Sequence, residues 1–129
     1  MAKFVTSLVC MNLDDVYWLL YSPLIYESEI VGRIEVPKGF ITDLASVPKV
    51  PLVYEVWGNK AHHEAVIHDY LYRTDSVPQV TFDQANEVFL EAMGVRGKPW
   101  YIKYPMYWGV CLGGSQYFHT KRVSDENNG

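Results

Sequence analysis

Cysteine is scarce in this sequence: Cys10 and Cys111 are the only two in 129 residues, far apart and each with apolar neighbours. Such a pair is no disulfide framework, and it is expected to be two buried free thiols in a reducing compartment. Positive charge is in deficit, 11 Lys and Arg against 15 Asp and Glu for a net charge of −4. Phosphate backbones need a clustered basic excess, so nucleic acid is excluded as a partner. Long apolar runs are missing as well. The most apolar late stretch, residues 100–118, is interrupted by Lys103, Pro105 and glycines, whereas a bilayer-crossing helix needs about 20 consecutive apolar residues. Met1-Ala2-Lys3 leads into a short mixed run that reaches Asn12, Asp14 and Asp15 without an apolar block or cleavage site, so no signal peptide is expected. The glycines ahead of residue 60 are isolated (Gly32, Gly39, Gly58), which leaves no glycine-rich loop of carbonyls to wrap a calcium ion.

What is present is core-forming material: 49% of residues are hydrophobic and 15% aromatic. A chain of this length supports one domain, expected over residues 1–119, with a polar tail over 120–129. Short Val, Ile, Tyr, Leu and Trp runs separated by turn residues predict strands over 4–11, 16–21, 24–28 and 33–36. Two prolines and a glycine shape the loop 37–48, in which Thr42-Asp43 is placed to cap a helical turn. Helices are predicted over residues 60–73, 81–93 and 99–118, the second opened by Thr81 and Asp83 and closed by Gly94 and Gly97. Pro105 is expected to kink the third or split it in two. The fold class is α+β: an N-terminal antiparallel β-sheet, a helical hairpin and a kinked C-terminal helix.

The chemistry concentrates on the hairpin. At about 100° per residue, Ala61, Ala65, His68 and Tyr72 fall within roughly 60° of one another, which puts His68 in the middle of an inward stripe. Phe82, Ala85, Phe89 and Met93 make the matching stripe on the next helix, and Asn86 lies on it. An imidazole and an amide, each on a buried face, are satisfied most simply by each other, because an orphaned buried polar group costs about 1–3 kcal/mol. Asp69 points about 100° away from His68, toward solvent or a cation. The pattern suits hydrolysis, with His68 as general base toward a water, Asn86 and Tyr72 fixing its tautomer, and Asp69 beside a metal that polarises a carbonyl.

The motifs Gly39-Phe40, Thr42-Asp43-Leu44-Ala45-Ser46-Val47-Pro48, His68-Asp69-Tyr70-Leu71-Tyr72 and Ala85 to Gly94 resemble DUF1353, a family of small, mostly phage- and prophage-encoded proteins of unknown function. That resemblance, together with the buried His68-Asn86-Tyr72 network, leads to the expectation of a phage-encoded structural or accessory protein that is weakly active or inactive as an enzyme, located in a host cytoplasm or virion, with phage structural or host proteins as partners. The His-Asp-x-x-Tyr helix is also similar to phospholipase A2. This second resemblance implies roles for His68 as base, Asp69 as calcium ligand, Tyr72 as support and Asn86 as orienting residue, with calcium as cofactor. Where that family has an acid this chain has Asn86, which accepts a hydrogen bond but cannot stabilise an imidazolium as a carboxylate does.

A third possibility is a divalent-metal hydrolase built on Asp43, His62, His68 and Asp69, or an HD-type phosphohydrolase drawing also on Asp83. Against it, His62 and His63 are expected to be exposed at a helix start, and Asp43 to organise its loop. The Trp and Tyr residues of 100–118 are expected in the core, with their polar tips equally suited to a protein or membrane-lipid surface.

Overall fold

The computed structural model describes residues 2–13, 17–42, 63–113 and 118 of the chain. Its N-terminal part folds as two three-stranded antiparallel sheets. One has the order β1 (Lys3–Phe4), β4 (Leu24–Ser28), β5 (Gly32–Val36), and the other has β2 (Cys10–Asn12), β3 (Trp18–Leu20), β6 (Ile41–Thr42). The alternation expected of half-buried strands is clearest in the β4–β5 hairpin, where Leu24 pairs with Val36 and Tyr26 with Ile34, all four side chains buried on one face. Ser28 organises its turn by accepting from the amides of Ile30 and Val31, and Gly32 supplies the positive φ of 87° that follows.

The single strand expected over 4–11 is instead two short ones that belong to different sheets. Thr6 explains the break: its hydroxyl donates to the Pro23 carbonyl at 3.0 Å and accepts from the Ile25 amide at 2.9 Å, so a side chain replaces the ladder. Two residues on, the Leu8 amide donates to His63 Nε2 at 3.1 Å.

Three helices follow: α1 (His63–Leu71), α2 (Phe82–Val95) and α3 (Trp100–Gly113). A capping box opens α2, with Thr81 Oγ1 accepting from the Gln84 amide and Gln84 Oε1 from the Thr81 amide. Beyond its C-cap at Arg96, Gly97 takes φ 79° while the Lys98 amide bonds back to the Met93 carbonyl at 2.9 Å. Gly94, expected to end the helix, lies inside it. α3 runs through Pro105 as one element, so of the two forms expected the split one is absent, and residues 114–117 lie outside the described part.

α1 is the middle layer, packed on β4, β5 and β6 on one side and on α2 on the other. One apolar cluster joins Leu24, Tyr26, Ile34 and Val36 to Ile67, Leu71, Ala85 and Val88, and a second joins Ala65, Phe89 and Met93 to Ile102, Met106 and Val110 of α3. Glu91 fastens α2 to the first sheet, accepting from Tyr26 Oη at 2.7 Å and from the Glu29 amide at 3.1 Å. The cysteines, both free, are half-buried rather than buried, and partial burial pushes the Cys10 thiol up from its ordinary pKa. Among the described residues no helix is long and apolar enough to cross a membrane.

Candidate functional site

His68 and Asn86 face each other from the apposed stripes of α1 and α2, both fully buried, with His68 Nε2 3.0 Å from Asn86 Oδ1. The same oxygen accepts from Tyr72 Oη at 2.6 Å. A carbonyl oxygen has two lone pairs and no hydrogen, so both neighbours must be donors. His68 is therefore the Nε2–H tautomer, with the lone pair on Nδ1. Asn86 Nδ2 turns the other way and donates to Cys111 Sγ of α3 at 3.8 Å, a weak bond that brings the third helix into the network.

The ring is enclosed by aromatics. Tyr72 and Phe89 lie with ring centroids 4.2 and 4.5 Å from that of His68, and Phe118 packs edge-on against Tyr72 at 5.2 Å. Burial pushes the His68 pKa down from 6.5 to about 4, and the hydrogen bond to Asn86 offsets only part of that. The Tyr72 hydroxyl is pushed up by the same burial, again partly countered by Asn86. At neutral pH the cluster is accordingly uncharged. An imidazole this reluctant to take a proton is a weak general base near pH 7.

Asp69 departs from its expected place. It is buried, not turned to solvent, and its Oδ2 accepts from Arg73 Nη2 at 3.1 Å, in an ion pair one helical turn long, and from the Thr42 hydroxyl at the end of β6. The Arg73 guanidinium, itself buried, sits 5.2 Å over the Phe40 ring, and Tyr70 packs edge-on against the same ring. This surrounding does not fit calcium: an oxygen that a cation would need already faces a fixed positive charge and a hydroxyl donor. Among the described residues no three His, Cys, Asp or Glu side chains converge on a point where they could hold a metal ion. Asp43 and His62 lie outside the described residues. Asp83 is in the first turn of α2, one turn before Asn86.

His63, expected to be exposed, is half-buried, its ring edge-on to Phe4 at 5.1 Å and its Nε2 accepting from Leu8. The next residue, Glu64, is fully buried with Lys98 Nζ 3.7 Å away. The residues that sequence reasoning missed are Arg73, Thr42 and Cys111. Arg73 had a local signal, its i+4 spacing from Asp69. Thr42 and Cys111 reach the site only through tertiary folding.

No curated protein and no solved structure matches the chain. The likeness to phospholipase A2 thus finds no support. The sequence model described as "Protein of unknown function (DUF1353)" does match, over residues 18–110, a span that runs from β3 to α3 and holds His68, Asp69, Tyr72 and Asn86. With most of its length covered in this way, the chain belongs to the DUF1353 family.

Proposed function

We propose that the protein is a non-catalytic structural or accessory protein, of the phage-encoded kind that the family resemblance implies, in which His68, Asn86 and Tyr72 are a buried clamp between α1 and α2. The observation that carries this reading is that Asn86 Oδ1 accepts hydrogen bonds from two side chains that are themselves buried. Polar groups in a core are expensive unless mutually satisfied, and once satisfied they specify a unique packing. A base awaiting substrate would need an approach for water and a pKa near the working pH. His68 has full burial and a pKa of about 4.

The test is ester release from a phospholipid and from a short-chain ester by wild type, Asn86→Asp and His68→Ala, each with calcium and with chelator. The expected result is no hydrolysis by wild type above that of His68→Ala in either buffer. Fast, calcium-dependent turnover by wild type that disappears in His68→Ala overturns the reading and makes the protein a calcium-dependent lipid esterase.

A further inference from the structure

α3 is apolar on two opposite faces. Ile102, Met106 and Val110 point into the core. On the far side Trp100, Tyr101, Tyr104, Trp108 and Leu112 are exposed, with Trp100 at 72% and Leu112 at 87%. At 100° per residue these five occupy an arc of about 120° centred opposite the buried stripe. Scattered exposed hydrophobics are ordinary, but a continuous stripe along one helix marks a surface that something else covers.

Charge selects the occupant. Residues 92–124 contain none of the chain's 15 Asp and Glu and include Arg96, Lys98 and Lys103. Lys98 is directed to Glu64, while Arg96 is exposed at the N-terminal end of α3 and Lys103 lies 5.5 Å from the Tyr104 ring. Among the described residues, Asp83 and Glu87 of α2 act electrostatically on Tyr107 at the edge of the stripe. A helix too short to span, bearing Trp and Tyr side chains with apolar bodies and polar tips, flanked by cations and free of acids, has the chemistry of an element that lies in a lipid headgroup layer. A soluble protein partner does not require the absence of carboxylates. An anionic bilayer does, because each acid on the contact face would be repelled.

We propose that the exposed face of α3 adsorbs to the surface of a bilayer containing anionic lipid, with Trp100, Tyr104 and Trp108 at headgroup level and Arg96 and Lys103 facing lipid phosphates. This goes beyond the clamp between α1 and α2 and is independent of it, since adsorption requires no chemistry at His68. The net charge of −4 opposes approach of the rest of the molecule, so the aromatic stripe supplies most of the affinity and the cations the preference for anionic lipid.

Sedimentation with sucrose-loaded vesicles tests it, comparing pure phosphatidylcholine with a mixture of phosphatidylcholine and phosphatidylglycerol, and brominated lipid reports tryptophan depth by quenching. Wild type is expected to bind the anionic vesicles more tightly, with quenching that Trp100→Ser/Trp108→Ser abolishes along with at least tenfold in binding. Arg96→Gln/Lys103→Gln is expected to reduce the preference for anionic lipid by on the order of fivefold per cation. Arg96, Trp100 and Trp108 are exposed and Lys103 is half-buried, and thermal melts matching wild type confirm that the variants fold. Absence of binding to either vesicle overturns the proposal, as does binding that the tryptophan pair leaves unchanged. A wild-type dimer in light scattering that Trp100→Ser/Trp108→Ser dissociates also overturns it, and assigns the face to a second copy of the chain.

Discussion

Replacing Asn86 by Leu removes one oxygen and orphans two donors. His68 Nε2–H and Tyr72 Oη–H both end on Asn86 Oδ1, at 3.0 and 2.6 Å, in a region with no solvent access at His68. Each buried donor left without its acceptor costs about 1–3 kcal/mol, so Asn86→Leu is expected to lose about 2–5 kcal/mol of unfolding free energy. His68→Leu is a different perturbation. It deletes a donor and the ring's packing on Phe89, but Asn86 Oδ1 keeps its bond from Tyr72, and a loss of about 2–3 kcal/mol is expected. In the double variant the orphaned imidazole of the first substitution no longer exists. Its loss is therefore expected to fall short of the sum by about 1–2 kcal/mol, the coupling of the pair. Denaturant unfolding of wild type, both single variants and the double variant at pH 7 measures all four corners of the cycle. If the two losses add to within about 0.5 kcal/mol, or if Asn86→Leu costs under about 1 kcal/mol, the amide is not what satisfies His68, and the argument for the clamp fails.

The pH dependence follows from the same burial. His68 is pushed down to about 4 in the folded protein against 6.5 unfolded. The unfolded chain thus takes its proton first on acidification, and the neutral ring's contribution to stability is complete above pH 6.5 and lost as pH falls toward 4. At 1.36 kcal/mol per pKa unit this loss amounts to about 3 kcal/mol, visible as a steeper acid limb for wild type than for His68→Gln in urea unfolding. NMR of the imidazole should show no titration above pH 5, and a midpoint near 6.5 would refute it. On the other side of α1, Asp69→Asn removes a counter-charge 3.1 Å from the buried guanidinium of Arg73 and is expected to cost about 3–5 kcal/mol in thermal or denaturant unfolding, whereas Asp69→Leu/Arg73→Met, which removes both charges, should recover most of that. A cost for Asp69→Asn under about 1 kcal/mol would show that Asp69 is not the counter-charge.

The α+β order and the facing of His68 and Asn86 were legible because each depends on local periodicity. Two residues sat on stripes that could only be buried, and the polar one on each helix needed the other. The division of the N-terminal strands was not legible, since residues 4–11 have strand-forming composition throughout. What interrupts them is a set of bonds from Thr6 to Pro23 and Ile25 and from Leu8 to His63, all non-local. Asp69 misled for a related reason. Aspartate is seldom fully buried unless paired, so solvent was the sound default for a side chain whose neighbour held the inward position. Its i+4 partner Arg73 was in plain view, but whether that pair lies in water or under Phe40 depends on Phe40 and Thr42, which arrive from the second sheet.

His68 and Asp69 are adjacent on α1 and point about 100° apart, and the two neighbours they meet belong to different layers. His68 is held by α2 through Asn86, and Asp69 by β6 through Thr42. An apolar helix between a sheet and a second helix can rotate or slide by a residue at modest cost, since one aliphatic contact replaces another. Here a one-residue rotation swings His68 off Asn86 and carries Asp69, with its i+4 partner Arg73, away from Thr42 and toward the rings that now enclose His68, so that the imidazole–amide bond and the hydroxyl–carboxylate bond are broken together. Each of those losses costs about 1–3 kcal/mol or more for the charged group, against a typical total stability of about 5–15 kcal/mol for a domain. The consecutive pair therefore admits one rotational setting of α1 between its two layers.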